Sequence, residues 1–222
     1  MTPQQTAGGL SRFRSFVIAV TRIVSGDLKG TAVAERVRPL LQDLVAHDDW
    51  LPDALAVPHP RHYQQYLLYC DPLERFSVVS FVWNVGQTTP IHDHTVWGLV
   101  GVLRGAETSQ SYRLENGRLV QGDLERLRSG EVGEVGPEIG DIHKVANALA
   151  DRSSISIHVY GGNIGAVRRH VYDGAGAVTK EFISGYSNAM LPNIWDRSQE
   201  LSVGAANHVP AAADRAAVQI DS

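Results

Sequence analysis

Gly86-Gln87-Thr88-Thr89-Pro90-Ile91-His92-Asp93-His94 opens the stretch that decides how this chain is read, and Gly140-Asp141-Ile142-His143-Lys144-Val145-Ala146-Asn147 closes it. His92 and His94 stand at i and i+2, so a β-strand turns both imidazoles to one face and Asp93 to the other. His143 belongs to another strand, behind a turn at Pro137–Gly140. Three imidazoles converging from two strands read as a metal site. Asp93 reads as a surface or supporting residue rather than a ligand.

Around this stretch the hydrophobic period changes from helical to extended. Leu10, Phe13, Phe16, Val17 and Val20 recur at helical spacing and predict a helix over 9–24. Val33, Val37, Leu40, Leu41 and Leu44 predict a second over 31–46, with Pro39 expected to kink or break it. Both stripes are expected to pack against a sheet. His47 falls in the turn that follows. Pro52, Pro58 and Pro60 mark a connector, and a short helix is expected at 61–67. Strands are expected at 76–83, through His92 and His94, and at 97–103, 107–114, 118–128, 131–135, 143–147 and 153–160, with a final pair at 164–172 and 177–183. Helices followed by many short antiparallel strands predict a mainly β protein, a double-sheet jelly roll with N-terminal α-helices. The division expected is a helical segment over 1–60, the jelly roll over 61–198 and a loosely ordered tail over 199–222.

Composition narrows the function classes. Hydrophobic residues make up 43% and charged residues 20% of the 222, as in ordinary globular domains. A net charge of −4 provides no basic footprint for nucleic acid and no polybasic face for a membrane. No apolar run approaches the ~18 residues of a transmembrane helix, and the first residues do not read as a secretory signal. Cys70 is the single cysteine, so no intrachain disulfide forms and a cytoplasmic setting is expected.

The spacing resembles that of the cupins. Gly86, five residues, His92-x-His94 and then Gly105 follow their first motif, and Gly140-x-x-His143-x-x-x-Asn147 follows the second. The glutamate that usually serves cupins as a fourth ligand is missing, its slot falling around Gly98. A set of three histidines without glutamate resembles the thiol dioxygenases. So does Ser156-Ile157-His158-Val159-Tyr160, whose alternation puts Ser156, His158 and Tyr160 on one strand face, as in that family's Ser-His-Tyr relay.

Within the cysteine dioxygenase type I family the chain looks most like bacterial 3-mercaptopropionate dioxygenases. Glycine at 98 stands where mammalian-type enzymes carry the cysteine that cross-links to the active-site tyrosine, so Tyr160 is expected to stay unmodified. Gln64 and Gln65 occupy the segment where those enzymes have a carboxylate-binding arginine, and Gln65 is preferred. In the 3-mercaptopropionate group a later arginine takes that role, which falls here on Arg168 or Arg169, with Arg169 favoured by its offset from Tyr160.

The resemblance implies one Fe(II) per chain on His92, His94 and His143, with a small thiol carboxylate and O2 as reactants. It leaves the oligomeric state open. Three neutral imidazoles leave the site one unit more positive than two imidazoles and a carboxylate, which suits a substrate arriving as thiolate. Both oxygen atoms then go to sulfur, giving a sulfinate. An arginine fork matches a carboxylate with two parallel hydrogen bonds. Tyr160 would stand near substrate or O2, held by His158 and in turn by Ser156. L-cysteine and mercaptosuccinate are alternative substrates; an isomerase or hydrolase using Zn or Mn, and a non-catalytic sensor, are alternative classes. His59, His62, His170 and His208 lack partner spacing and are expected to be non-ligands, and Trp83, Trp97 and Trp195 are expected in the core or pocket wall.

Overall fold

A computed structural model describes residues 9–195 of the chain. The tail expected from 199, and His208 within it, lie outside the described residues. Two helices come first, α1 (Gly9–Val24) and α2 (Thr31–Val45). Eleven strands follow: β1 (Gln64–Cys70), β2 (Ser77–Trp83), β3 (Ile91–His92), β4 (Gly98–Arg104), β5 (Ala106–Glu115), β6 (Arg118–Arg128), β7 (Val132–Val135), β8 (Ile142–Asn147), β9 (Ser154–Tyr160), β10 (Arg169–Tyr172) and β11 (Val178–Phe182).

They form two sheets of antiparallel strands, one ordered β1-β2-β9-β4-β7 and the other β11-β10-β3-β8-β5-β6. From β2 to β10 the chain crosses repeatedly from one sheet to the other, which is the winding of a jelly roll, here the cupin fold. Alternation along β9 shows what each face of the first sheet does. Ile155, Ile157 and Val159 turn outward into a core shared with Phe13, Val17, Val37 and Leu41 of the helices. Tyr160 turns inward with Val79, Phe81 and Trp83 of β2. The helices therefore cover the outer face of the first sheet, leaving the space between the sheets for the site. Each such Val, Leu or Phe contributes roughly 1.5–3 kcal/mol by leaving water.

α2 approaches β4 closely where residue 101 has no side chain: a Cβ on Gly101 would stand 3.0 Å from both Leu41 Cγ and Val45 Cγ1. Arg38 ties the same helix to β7, donating to the Val132 carbonyl and, over 2.6 Å, to Glu134. Two sequence expectations need correction. The break expected at Pro39 does not occur, since α2 runs through it; the proline is on the exposed side, where the carbonyl that it leaves without a donor is open to solvent, while Val37 and Leu41 are buried on the other. The helix expected at 61–67 does not form: 61–63 are irregular and β1 starts at Gln64, with Gln65, Tyr66 and Leu67 pairing with Phe81, Ser80 and Val79. The aromatic pair Tyr66 and Tyr69 favours an extended chain laid on β2.

Candidate active site

His92 and His143 are directly opposite partners across β3 and β8, and His94 follows two residues on, past the end of β3 rather than on the strand expected to run through it. Their ring centroids lie 4.8–4.9 Å apart in every pair, and one nitrogen of each falls within 4.8 Å of the others. All three side chains are buried. Each Nδ1 is occupied: that of His92 by the Pro90 carbonyl at 3.1 Å, that of His94 by Asp141 Oδ1 at 3.0 Å and that of His143 by the Ser109 hydroxyl at 2.9 Å. The Nε2 of His143 is buried with no hydrogen-bond partner among the described residues. Rings held from behind at Nδ1, with an orphaned Nε2 turned to the common centre, fit a bound metal ion.

Electrostatics agree. Burial and the neighbouring His94 push the pKa of His92 down to about 3. Burial, then His92 and His94, hold His143 well below its ordinary value. Both are neutral at physiological pH and keep the lone pair that a metal needs.

Asp141 was missed in the sequence. Besides holding His94 Nδ1, its Oδ2 accepts from the backbone N–H of His94 at 3.0 Å and of Thr95 at 2.7 Å, where the chain turns through a positive φ of 61°. Burial pushes its carboxyl up, but the hydrogen bonds from His94 and Thr95 outweigh that and keep it below the usual value. The sequence signal was an aspartate two positions before His143, which no spacing rule connects with His94. Asp93 faces away from the cluster and accepts from His170 and from the Tyr172 hydroxyl at 2.8 Å. His59 and His62 pair with each other outside the cluster.

On β9, Ser156 Oγ stands 2.8 Å from His158 Nε2, and His158 Nδ1 stands 2.7 Å from the Tyr160 hydroxyl, all three buried. Phe81 stacks on His158 at 4.1 Å and His94 stacks on Tyr160 at 5.5 Å, so the chain of hydrogen bonds ends beside the imidazole cluster. Burial lifts the Tyr160 phenol well above its ordinary pKa and pushes His158 well below. Gly98 is pressed against this tyrosine: a Cβ there would come within 2.8 Å of Tyr160 Cδ1 and 2.9 Å of Val135 Cγ2. The slot in which a fourth ligand was looked for thus has no room for any side chain.

A cavity of about 270 Å³ opens onto the cluster, and its wall includes Tyr160, Gln65, Arg169, Lys180 and Ser184. Of the two arginines that the sequence offered, Arg169 turns inward and is 3% exposed. Arg168 turns outward and pairs with Glu181 at 2.8 Å, because neighbours on a strand face opposite ways; a place for it in the pocket is corrected accordingly. Arg169 donates to Ser184 Oγ at 2.6 Å and lies over the Phe182 ring, while its Nε is buried without a partner. Gln65 Nε2 reaches the same Ser184 Oγ at 3.0 Å and the Gly185 carbonyl at 3.1 Å. Ser184, Lys180 and Tyr63 were not foreseen as pocket residues. Trp83 lines the cavity and Trp97 packs half-buried on the core, but Trp195 is 60% exposed, correcting its expected place.

Fold and cluster together define a cupin with a three-histidine centre suited to a metal. The sequence pattern of the cysteine dioxygenase type I family matches residues 60–173, and the chain belongs to that family, a membership that implies a metal-dependent dioxygenase. Similar solved structures include a Klebsiella pneumoniae protein with a double-stranded β-helix domain (19% identity, 57% of this chain and 98% of that one, TM-score 0.42). A cupin superfamily protein of Desulfitobacterium hafniense shares 14% identity over 53% of this chain and 94% of its own, with a TM-score of 0.40. An RmlC-like cupin of Ralstonia eutropha shares 14% over 68% and 78%, also with a TM-score of 0.40. No described helix is long and apolar enough to cross a membrane.

Proposed function

We propose that this protein is an Fe(II)-dependent thiol dioxygenase that converts 3-mercaptopropionate to 3-sulfinopropionate, adding both atoms of O2 to sulfur. The observation that carries this reading is Arg169: a buried guanidinium with an orphaned Nε, opening onto the same cavity as the three imidazoles. A buried cation without a carboxylate partner is costly, and none of the described residues forms an ion pair with it. A substrate carboxylate seated there would satisfy the orphaned donor and place a thiol toward His92, His94 and His143.

Iron held by these imidazoles would supply the activation of O2 beside the substrate sulfur. The chain's own residues do the rest. Arg169 orients the carboxylate, with Ser184 fixing its guanidinium and Gln65 braced on the same hydroxyl. Phe81 and Trp83 supply apolar wall to the cavity. Tyr160 presents a hydroxyl, held by His158, beside the reacting end. No aspartate or glutamate lines the cavity among the described residues, so an amino-acid substrate would find no partner for its ammonium. A cytoplasmic setting, in which Cys70 remains a thiol, belongs to the same reading.

One observation favours a second substrate. Lys180 lines the cavity as a second cation and would receive the further carboxylate of mercaptosuccinate. The test is oxygen uptake by Fe(II)-reconstituted protein with 3-mercaptopropionate, L-cysteine and mercaptosuccinate in parallel, with products identified by NMR. Fastest uptake with 3-mercaptopropionate, one O2 per sulfinate, is expected. A mercaptosuccinate preference that disappears in Lys180→Ala would instead select the dicarboxylate. No uptake with any thiol by an iron-loaded sample would sink the dioxygenase reading.

A further inference from the structure

Asp93 stands between two of the clustered imidazoles in the sequence, and its carboxylate bonds to β10 behind the cavity. β3 and β10 pair through Ile91 with Tyr172 and His92 with Val171. The next rung joins Asp93 to His170 in an altered form. The backbone N–H of Asp93 donates to the His170 carbonyl at 3.2 Å. In a regular antiparallel rung the return bond runs to the backbone carbonyl. Here the His170 N–H donates to Asp93 Oδ1 at 2.8 Å. The side chain thus replaces the backbone where the chain leaves the strand for the turn at Thr95.

Two further donors converge on the same carboxylate, His170 Nδ1 at 2.7 Å and the Tyr172 hydroxyl at 2.8 Å, both to Oδ2. Asp93 is 6% exposed, and charge-assisted hydrogen bonds are about twice as strong as neutral ones, so this is a firm joint. On the cavity side of the same segments stand His92, His94, Arg169 and Val171. The segment that carries two imidazoles therefore has two anchors. Asp141 ties it to the turn before His143, which sets the imidazoles relative to one another. Asp93 ties it to β10, which sets them relative to Arg169. A thiol acid held at both ends has to match that span.

We propose that Asp93 is a positioning residue that sets the span between the three-histidine centre and the Arg169 guanidinium, and thereby the number of carbons between thiol and carboxylate that the pocket accepts. This rests on the reading above of a thiol at the imidazoles and a carboxylate at Arg169, and it holds with or without turnover.

The test is calorimetric titration of full-length, anaerobic, Zn(II)-loaded protein with 2-mercaptoacetate, 3-mercaptopropionate and 4-mercaptobutyrate. The wild type should bind 3-mercaptopropionate about tenfold or more tighter than either neighbour, since a small misplacement at a site held from both ends is costly. Asp93→Ala should weaken 3-mercaptopropionate by about 10- to 100-fold, the usual weight of a residue that orients metal-site groups. It should bring the three Kd values close together while Zn(II) affinity stays near that of the wild type. Asp93→Asn, which keeps an oxygen for the His170 N–H, should retain most of the preference. Tyr172→Phe removes one donor and leaves the histidine segment intact. It should shift the preference in the same direction by about two- to tenfold, the weight of one hydrogen bond, which keeps the test decisive if Asp93→Ala fails to fold. Equal weakening of all three acids overturns the proposal, as does an unchanged preference in Tyr172→Phe. Zn(II) affinity lost in step with thiol affinity overturns it too, and makes Asp93 a support for the imidazoles alone. If the wild type binds none of the acids, the clamp at Arg169 falls and the proposal with it. If the acids bind in the expected order and the iron-loaded protein consumes no oxygen, the dioxygenase reading fails while the role of Asp93 stands.

Discussion

Arg169 carries most of the consequence of any single side chain in the pocket. Lysine keeps the charge but loses the fork and the contact with Ser184, and hydrogen bonds to charged groups contribute about 1.5–3 kcal/mol. Arg169→Lys should therefore raise KM for 3-mercaptopropionate by roughly 10- to 100-fold while kcat falls less, measured by initial-rate oxygen consumption. An unchanged KM would move the carboxylate site elsewhere, with Lys180 the next residue to change. Tyr160 differs in kind, since it sits against His94 rather than at the carboxylate end. Tyr160→Phe should cost kcat about 10²- to 10⁴-fold, the range for a positioned proton-bearing group, with iron content unaltered in metal analysis. Equal loss of metal would make the tyrosine a support for the imidazoles instead. Both positions stand out in the amino-acid sequence, Tyr160 through the i, i+2 alternation of Ser156-Ile157-His158-Val159-Tyr160 and Arg169 through its offset along the chain.

Elements place these side chains by bringing distant strands into register. β3 holds a single pairing with β8, His92 to His143, so the metal cluster is defined by one rung of one sheet. Behind the other sheet, α2 is seated on β4 through the missing side chain at Gly101. Filling that gap should separate helix from sheet: Gly101→Val should cost about 1–3 kcal/mol, seen as a lower Tm, with zinc binding retained below the transition. A Tm equal to the wild type would show that the helix has room to shift on the strand. The helical stripes and most strands could be read from periodicity, but β1 could not. Its first residues, Gln64-Gln65-Tyr66-Leu67, carry a mixed pattern, and pairing to β2 decided their conformation.

The whole molecule inherits an acid sensitivity from its buried imidazoles. His92 titrates at about 3 and His143 and His158 well below their ordinary value, whereas in the unfolded chain each titrates near ~6.5. In the interval between, the unfolded state binds more protons, so stability rises with pH through this window. The contribution is fully present above about pH 6.5 and is lost as pH falls toward the folded values, by up to about 1.4 kcal/mol per pH unit for each group. Urea unfolding of metal-free protein should therefore show a lower midpoint at about pH 5.5 than at about pH 7.5, and His158→Gln should narrow the difference. Equal midpoints would mean that the imidazoles are not buried in neutral form.

What the sequence determined by itself was the local pattern: a histidine pair two residues apart, a third histidine behind a turn, a Ser-His-Tyr alternation and helical stripes followed by short strands. These follow from backbone periods of 2 and 3.6 residues, which act over a few positions and need no knowledge of the rest of the chain. The tertiary structure alone decided that Asp141 holds His94 from 47 residues away and that Gln65 meets Ser184 across 119. Those juxtapositions depend on strand register and sheet stacking, which sum the packing of the whole core and leave no trace in the spacing of residues along the chain.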